Sequence, residues 1–222
     1  MGSSLGSSEL ILNPDGSIYH LNLLPEDIAT TIITVGDQNR VHEVSKYFDA
    51  IEVNKSKREF VTHTGHYSGK RITVISTGIG TDNIDIVFNE LDALANIDFT
   101  SRQIKSQKTR LNFIRVGTSG SLQPDIPVDT FLISSAGIGF DNLMHFYDCG
   151  HIKNMELEQA LKEYLGWDKL NIHPYVVDFD KELGNIFTSN RIRLGITGTN
   201  SGFYGPQGRS LRLKLAIPDF NE

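Results

Sequence analysis

Two rhythms of hydrophobic and polar positions alternate along this chain. Residues 31–35 (TIITV) are a β-branched run, the pattern of a buried strand, and Gly36-Asp37 breaks it. Val41, Val44 and Phe48 then recur at helical spacing. Residues 59–67 and 71–77 read as a hairpin joined at Ser68-Gly69-Lys70. After Gly78-Ile79-Gly80, the apolar residues Ile84, Val87, Phe88, Leu91 and Leu94 fall on one face of an amphipathic helix. Residues 100–110, with Arg102, Lys105, Lys108 and Arg110, read as a solvated loop or an extended helix end. Residues 112–116, 130–136, 175–179 and 192–197 read as strands, 156–165 as a helix, and 203–209 as a Gly/Pro loop. Repeated strand, glycine turn and helix units predict an α/β fold with a largely parallel or mixed sheet. In such folds ligands sit at the carboxyl ends of strands.

Composition narrows the function classes. The 222 residues suffice for one large domain or two small ones, and 39% hydrophobic with 22% charged residues is the balance of a globular protein. A net charge of -6 argues against a general nucleic-acid binder, so an anionic ligand would need a local positive pocket. A single cysteine, Cys149, excludes an intrachain disulfide and a multi-cysteine metal site, and fits the cytoplasm. No apolar run approaches the roughly 18 residues of a membrane helix, so no membrane partner is expected. The opening MGSSLGSS has neither the basic nor the apolar region of a signal peptide. Residues 1–12 are expected to be a flexible leader, with one domain over residues 13–222.

Three glycine-bearing turns follow strands: Gly36 to Arg40 (GDQNR), Ser76 to Gly80 (STGIG) and Arg115 to Gly120 (RVGTSG). Glycine lets backbone N–H groups approach an anion, and a following helix adds its positive end. Arg40 and Arg115 lie in two of these turns, and a guanidinium grips phosphate oxygens bidentately. No P-loop and no GxGxxG pattern occurs, so neither a Walker site nor dinucleotide binding is supported.

These motifs, in this order, resemble the nucleoside phosphorylase family that includes uridine phosphorylase. GDQNR resembles the family's GDPxR turn; REF at Arg58 to Phe60, STGIG and RVGTSG follow in the family's order, and FYGPQGR at Phe203 to Arg209 resembles the FYxxQxR loop of uridine phosphorylases. The resemblance runs from about His20 to Glu222. It implies a three-layer α/β/α single domain with a central mixed β-sheet. It implies phosphate binding by Gly36, Arg40, Arg58, Arg115 and Thr118, with Arg58 serving the neighbouring subunit. Thr118, Ser119, Gly120, Phe203, Gln207 and Arg209 would hold the base and nucleoside. His20 would reach the 5′-hydroxyl of a ribose in the neighbour's site. Arg115 and Arg209 are the catalytic candidates. The implied reaction is phosphorolysis of a pyrimidine nucleoside, most simply uridine, with inorganic phosphate as co-substrate and no metal or organic cofactor. The shared roles imply at least a homodimer, or a hexamer. A phosphorylase for thymidine or a purine nucleoside, and a non-catalytic nucleoside- or phosphate-binding protein, remain open alternatives.

The sequence departs from the family in three places. Family members continue to a Glu-Met-Glu segment that holds the ribose 2′- and 3′-hydroxyls, whereas this sequence stops at Glu222 without it, so the domain is expected to be incomplete at its C-terminal side. Residues 100–110 are longer than in compact bacterial members. Some members hold a monovalent cation through a glutamate, an isoleucine carbonyl and a serine; Glu59 and Ile79 match the first two, but Asn83 stands at the serine position, and no metal is expected. His145 is expected to be structural or surface-exposed. His63 and His66 share a strand face without the further ligands a metal site would need.

Overall fold

The computed structural model describes residues 4–166 and 172–218. Backbone proximity divides the chain into two compact units, Met1–Thr118 and Ser119–Glu222, where the sequence predicts one domain from residue 13. The boundary falls inside the RVGTSG motif.

The first unit runs β1 (Thr31–Val35), α1 (Gln38–Ser45), β2 (Ala50–Lys57), β3 (Phe60–Tyr67), β4 (Lys70–Ser76), α2 (Thr81–Asn96), β5 (Ile97–Asp98), β6 (Gln103–Ile104) and β7 (Asn112–Arg115). Its sheet has the order β2-β3-β4-β1-β7. The β2–β3 and β3–β4 pairs are antiparallel, while β1 pairs in parallel with both β4 and β7, so the sheet is mixed. The period-2 alternation of a strand divides its residues between two faces. Ile32, Phe60, Ile75 and Phe113 join Val87, Leu91 and Leu94 of α2 in one cluster. Ile33, Val35, Val61 and Val74 join Val41 and Val44 of α1 in another. Helix, sheet and helix thus stack in three layers, because β1, β3 and β4 carry apolar residues on both faces.

The amphipathic stripe predicted for residues 84–94 is the buried face of α2: Val87 and Leu91 are 0% exposed and Leu94 is 1% exposed. Truncating a buried leucine such as Leu91 to alanine would cost about 2–5 kcal/mol. Strand β2 was not legible from the hydrophobic pattern. Its sequence AIEVNKSK is polar and mostly exposed, as suits the edge strand of a sheet.

Two expectations for the first unit are corrected. Residues 4–12 are held in place. Leu10 is buried at 3% exposure, and Leu5 and Leu12 pack against the α2 cluster. The expected solvated loop 100–110 supplies the clamp: β5 and β6 form a short antiparallel pair, and Arg102 sits at its turn with φ 53°. The Arg102 guanidinium donates to the carbonyl oxygens of Leu5 (2.8 Å), Gly6 (2.6 Å) and Leu10. The Gly/Ser spacing hides three apolar anchors, and Arg102 on the facing hairpin fixes the backbone of two of them, Leu5 and Leu10.

The second unit contains β8 (Leu132–Gly139), α3 (Met155–Leu165), β9 (Tyr175–Asp178), α4 (Lys181–Phe187) and β10 (Arg193–Thr199). Its sheet, ordered β10-β8-β9, is also mixed: β10 is parallel to β8 and β9 antiparallel to it. Helix α3 starts where the Asn154 side chain accepts from Leu157 N and ends at Gly166 in the left-handed region. Helix α4 was not predicted; Asp180 caps it, and its Gly184 packs directly against the Phe179 ring. His145 binds the His173 carbonyl oxygen through Nε2 at 2.7 Å and meets the Tyr175 ring edge-on, a structural role. The Tyr175 hydroxyl donates to Asp141 at 2.8 Å. Burial, then the bonded Asp141 carboxylate, push that phenol well above its usual range.

Candidate functional site

The three glycine turns are brought together by the sheet. Parallel pairing aligns Val35 of β1 with Ser76 of β4, and Thr34 with Arg115 of β7. All three strands therefore deliver their turns at the same carboxyl-terminal edge. Hydrogen bonds extend the alignment past the strand ends: Thr77 N donates to Val35 O at 2.8 Å and Val116 N to Thr34 O at 2.9 Å. A Cβ built on Gly36 would lie 3.9 Å from Gly78 O, so the first two turns run side by side.

Each turn has a local reason for its shape. Asp37 caps α1 by accepting from Asn39 N at 2.9 Å. Helix α2 starts at Gly80 (φ 113°) with no side-chain cap, leaving its first N–H groups to other acceptors. Gly78 (φ 69°) faces Glu59 and Asn83; a Cβ there would stand 2.6 Å from Asn83 Nδ2 and 2.9 Å from Glu59 Cγ. Glycine is required at Gly78 both by its φ and by this close approach.

Arg40 lies in the first turn of α1 and is half-buried; Arg115 ends β7 and is exposed. Arg58 sits in the two-residue turn between β2 and β3 with φ 56°. The Gln38 side chain donates to its carbonyl oxygen at 2.9 Å, which ties the Arg58 turn to the start of α1. Ser76 fixes the same hairpin by donating to Glu59 O and accepting from Val61 N, both at 2.7 Å. None of Arg40, Arg58 and Arg115 makes an ion pair among the described residues. Gly36 follows β1 directly, and Thr118 is the last residue of the first unit.

His20 stands apart from the turns. Its Nδ1 lies 2.6 Å from Glu90 Oε1, and its backbone N–H donates to the same carboxylate. Glu90 lies ten residues after Gly80 along α2, about 15 Å at the helical rise of roughly 1.5 Å per residue. His20 is thus tied to α2 nearly three helical turns beyond the Gly78–Gly80 turn of its own chain.

Of the residues expected to bind the base and nucleoside, Thr118 ends the first unit, while Ser119, Gly120, Phe203, Gln207 and Arg209 belong to the second. The Arg209 guanidinium stacks over the Phe203 ring, 4.4 Å from its centroid. Arg209 Nε donates to Gln207 Oε1 at 3.2 Å, and Gln207 Nε2 donates to Gly202 O at 3.2 Å. A Cβ on Gly120 would stand 3.8 Å from Arg209 Nη2, so the Ser119-Gly120 backbone lies beside the guanidinium. Phe203 remains 57% exposed, leaving ring surface for a planar ligand.

A family model described as the phosphorylase superfamily matches residues 30–220. The chain belongs to this superfamily. It is 30% identical over 207 residues to a uridine phosphorylase of Thermococcus kodakarensis, covering 91% of this chain and 62% of that protein. It is 32% identical over 164 residues to a uridine phosphorylase of Haemophilus influenzae, covering 72% of this chain and 59% of the relative. The chain thus spans about three fifths of the length of these curated relatives. Among solved structures, a Trypanosoma brucei nucleoside phosphorylase described as showing uridine phosphorylase activity superposes with a TM-score of 0.81 at 30% identity, covering 96% of this chain and 76% of that one. The mixed-sheet α/β fold of the chain is the one it shares with this nucleoside phosphorylase structure.

Three supporting residues of this phosphorylase-superfamily chain escaped the sequence reading. Gln38 and Ser76 act through backbone atoms, which no spacing reveals. Glu90 did leave a signal. It borders the apolar stripe of α2, and the positions three and four residues away on either side (Ile86, Val87, Ala93, Leu94) hold no cation, so its partner had to come from another element. Among the described residues, no group of three or more His, Cys, Asp or Glu side chains is placed to hold a metal, and no helix is long and apolar enough to cross a membrane. His63 pairs with Ser45 at 2.7 Å and His66 with Glu52 at 3.2 Å.

Proposed function

We propose that the protein to which this chain belongs catalyses phosphorolysis of uridine, giving uracil and ribose 1-phosphate. The observation that carries the reading is the set of adjacent glycine turns bearing Arg40 and Arg115, with Arg58 tied beside them and none of the three in an ion pair among the described residues. Guanidiniums with no ion-pair partner among the described residues, beside a helix start that lacks a side-chain cap, suit a dianion.

In this reaction a phosphate oxygen forms a bond to C1′ of the ribose as the C1′–N1 bond breaks. The bonding electron pair leaves with uracil, which then takes a proton from solvent. Gly36, Arg40, Arg115 and Thr118 hold phosphate, and Arg58 contributes to the phosphate of a neighbouring subunit. The phosphate charge stabilises the oxocarbenium character that develops on the sugar. Thr118 also borders the ribose. Phe203 packs on the pyrimidine ring with Ser119 and Gly120 beside it. Gln207 pairs with the donor and acceptor groups on the uracil edge, and Arg209 donates to the oxygen that gains charge as the base leaves. No metal or organic cofactor enters these steps.

The protein acts in the cytoplasm as a homodimer or larger homo-oligomer with shared sites. Three observations support sharing: His20 lies far from its own turns, the Arg58 side chain is exposed, and Ile79, in the STGIG turn, is 94% exposed and suits a covered interface.

The test is uracil release from uridine and phosphate by the full-length protein, with thymidine and inosine as comparators. Phosphate binding without uracil release would sink the reading, and preference for inosine would overturn the roles of Gln207 and Arg209. Mixing inactive Arg58→Ala and Arg115→Ala variants should restore part of the activity through subunit exchange; exchange without restoration would refute the shared site.

A further inference from the structure

Glu90 is surrounded by donors. His20 N–H donates to both its oxygens at 3.1 Å, Leu21 N–H donates to Oε2 at 2.9 Å, and His20 Nδ1 lies 2.6 Å from Oε1. The Glu90 side chain is only 13% exposed, whereas that of His20 is 27% exposed. A carboxylate facing three such contacts acts as acceptor, so the Nδ1 of His20 must carry the hydrogen. In the neutral ring Nε2 is then a bare acceptor. It has no hydrogen-bond partner among the described residues. The Tyr19 ring meets the imidazole edge-on at 4.8 Å, and Lys57 in turn donates to Tyr19 O and lies over the Tyr19 ring, which steadies the peptide carrying the histidine.

We propose that Glu90 is a positioning residue: by fixing the Nδ1–H tautomer it makes His20 an acceptor for a sugar hydroxyl, and so selects nucleosides whose 5′ oxygen still carries a hydrogen. The inference rests on the reading that His20 meets the ribose of a bound nucleoside. A 5′-O-alkyl nucleoside offers only lone pairs to Nε2, and two acceptors facing each other lose the bond and repel. Replacing Glu90 by glutamine offers an amide N–H to Nδ1, which moves the ring hydrogen to Nε2 and turns His20 into a donor that an alkylated oxygen can satisfy.

The experiment uses the full-length protein at pH 8, above the ordinary imidazole range. Imidazole 15N NMR, with the His20 signal assigned by its loss in His20→Ala, reads the tautomer directly. We expect Nδ1–H in the wild type and a shift toward Nε2–H in Glu90→Gln. In parallel, the ratio of kcat/KM for uridine to that for 5′-O-methyluridine should fall about tenfold in Glu90→Gln. The same substitution in a His20→Ala background should leave that ratio unchanged. A wild-type His20 protonated at Nε2 overturns the proposal, as does a Glu90→Gln ratio equal to that of the wild type. Absence of uridine turnover in the wild type would refute the functional reading instead, and the tautomer measurement would still decide the claim about Glu90.

Discussion

The guanidinium of Arg115 folds back over Gly117, so that a Cβ built on the glycine would stand 2.9 Å from Arg115 Cζ and overlap Nη1. The glycine two residues past the strand is therefore the floor on which this arginine rests. Sequence reading took Gly117 as a turn former; the structure makes it a clearance for a side chain.

Gly117→Ala should accordingly displace the Arg115 guanidinium while leaving the fold intact. The obstructing group is the flexible end of an arginine, so stability should change by no more than about 1 kcal/mol. Loss of one charge-assisted contact to phosphate should raise the KM for phosphate about tenfold. Phosphate titration of initial rates, alongside urea melts, checks both halves.

Arg209 and Gln207 should separate in their kinetics. Arg209 faces charge that appears only as the base leaves, so Arg209→Ala should lower kcat about a hundredfold. Gln207 pairs with the uracil edge in ground and transition states alike, so Gln207→Ala should mainly raise the KM for uridine. Steady-state kinetics with saturating phosphate distinguishes the two, and equal effects on kcat would contradict the assignment.

Arg102→Ala should release residues 4–12. The lost guanidinium bonds to Leu5, Gly6 and Leu10 should destabilise the protein by about 2 kcal/mol. Amide exchange near Leu5 and Leu10 should accelerate more than exchange in β1. Unchanged protection there would show that apolar packing alone holds the segment.

His63 should give the protein a stability that falls in mild acid. Burial, and then the neighbouring His42, hold its imidazole below the ordinary histidine value of about 6.5. Between the depressed folded value and 6.5 the unfolded chain binds more protons than the folded one, so stability declines as pH falls through that window and is flat above it. Urea melts from pH 8 to pH 5 should show the slope, and His63→Gln should reduce it. Ser45, which bonds His63 at 2.7 Å, keeps the site polar enough for the glutamine.

The order of strands and helices was readable because each element buries a face, and burial leaves a period in the sequence. Strand β1 coincides with the TIITV run, and the 84–94 stripe is the inner face of α2. Strand β2 and helix α4 were not readable: β2 is a polar edge, and α4 is a short helix containing Gly184. The motif arginines were readable because a charged group in a glycine turn is conspicuous. Gln38, Ser76 and Glu90 were not assigned, since their partners lie on other elements.

Local propensity and motif order write the α/β class, the glycine turns, their arginines and the Phe203, Gln207 and Arg209 loop along the chain. Folding is what brings the turns of β4, β1 and β7 to one sheet edge, stacks Arg209 on Phe203 and sets His20 against Glu90. Those are relations between residues far apart in sequence. They are set by strand register and by the need to pair buried polar groups, neither of which leaves a local pattern.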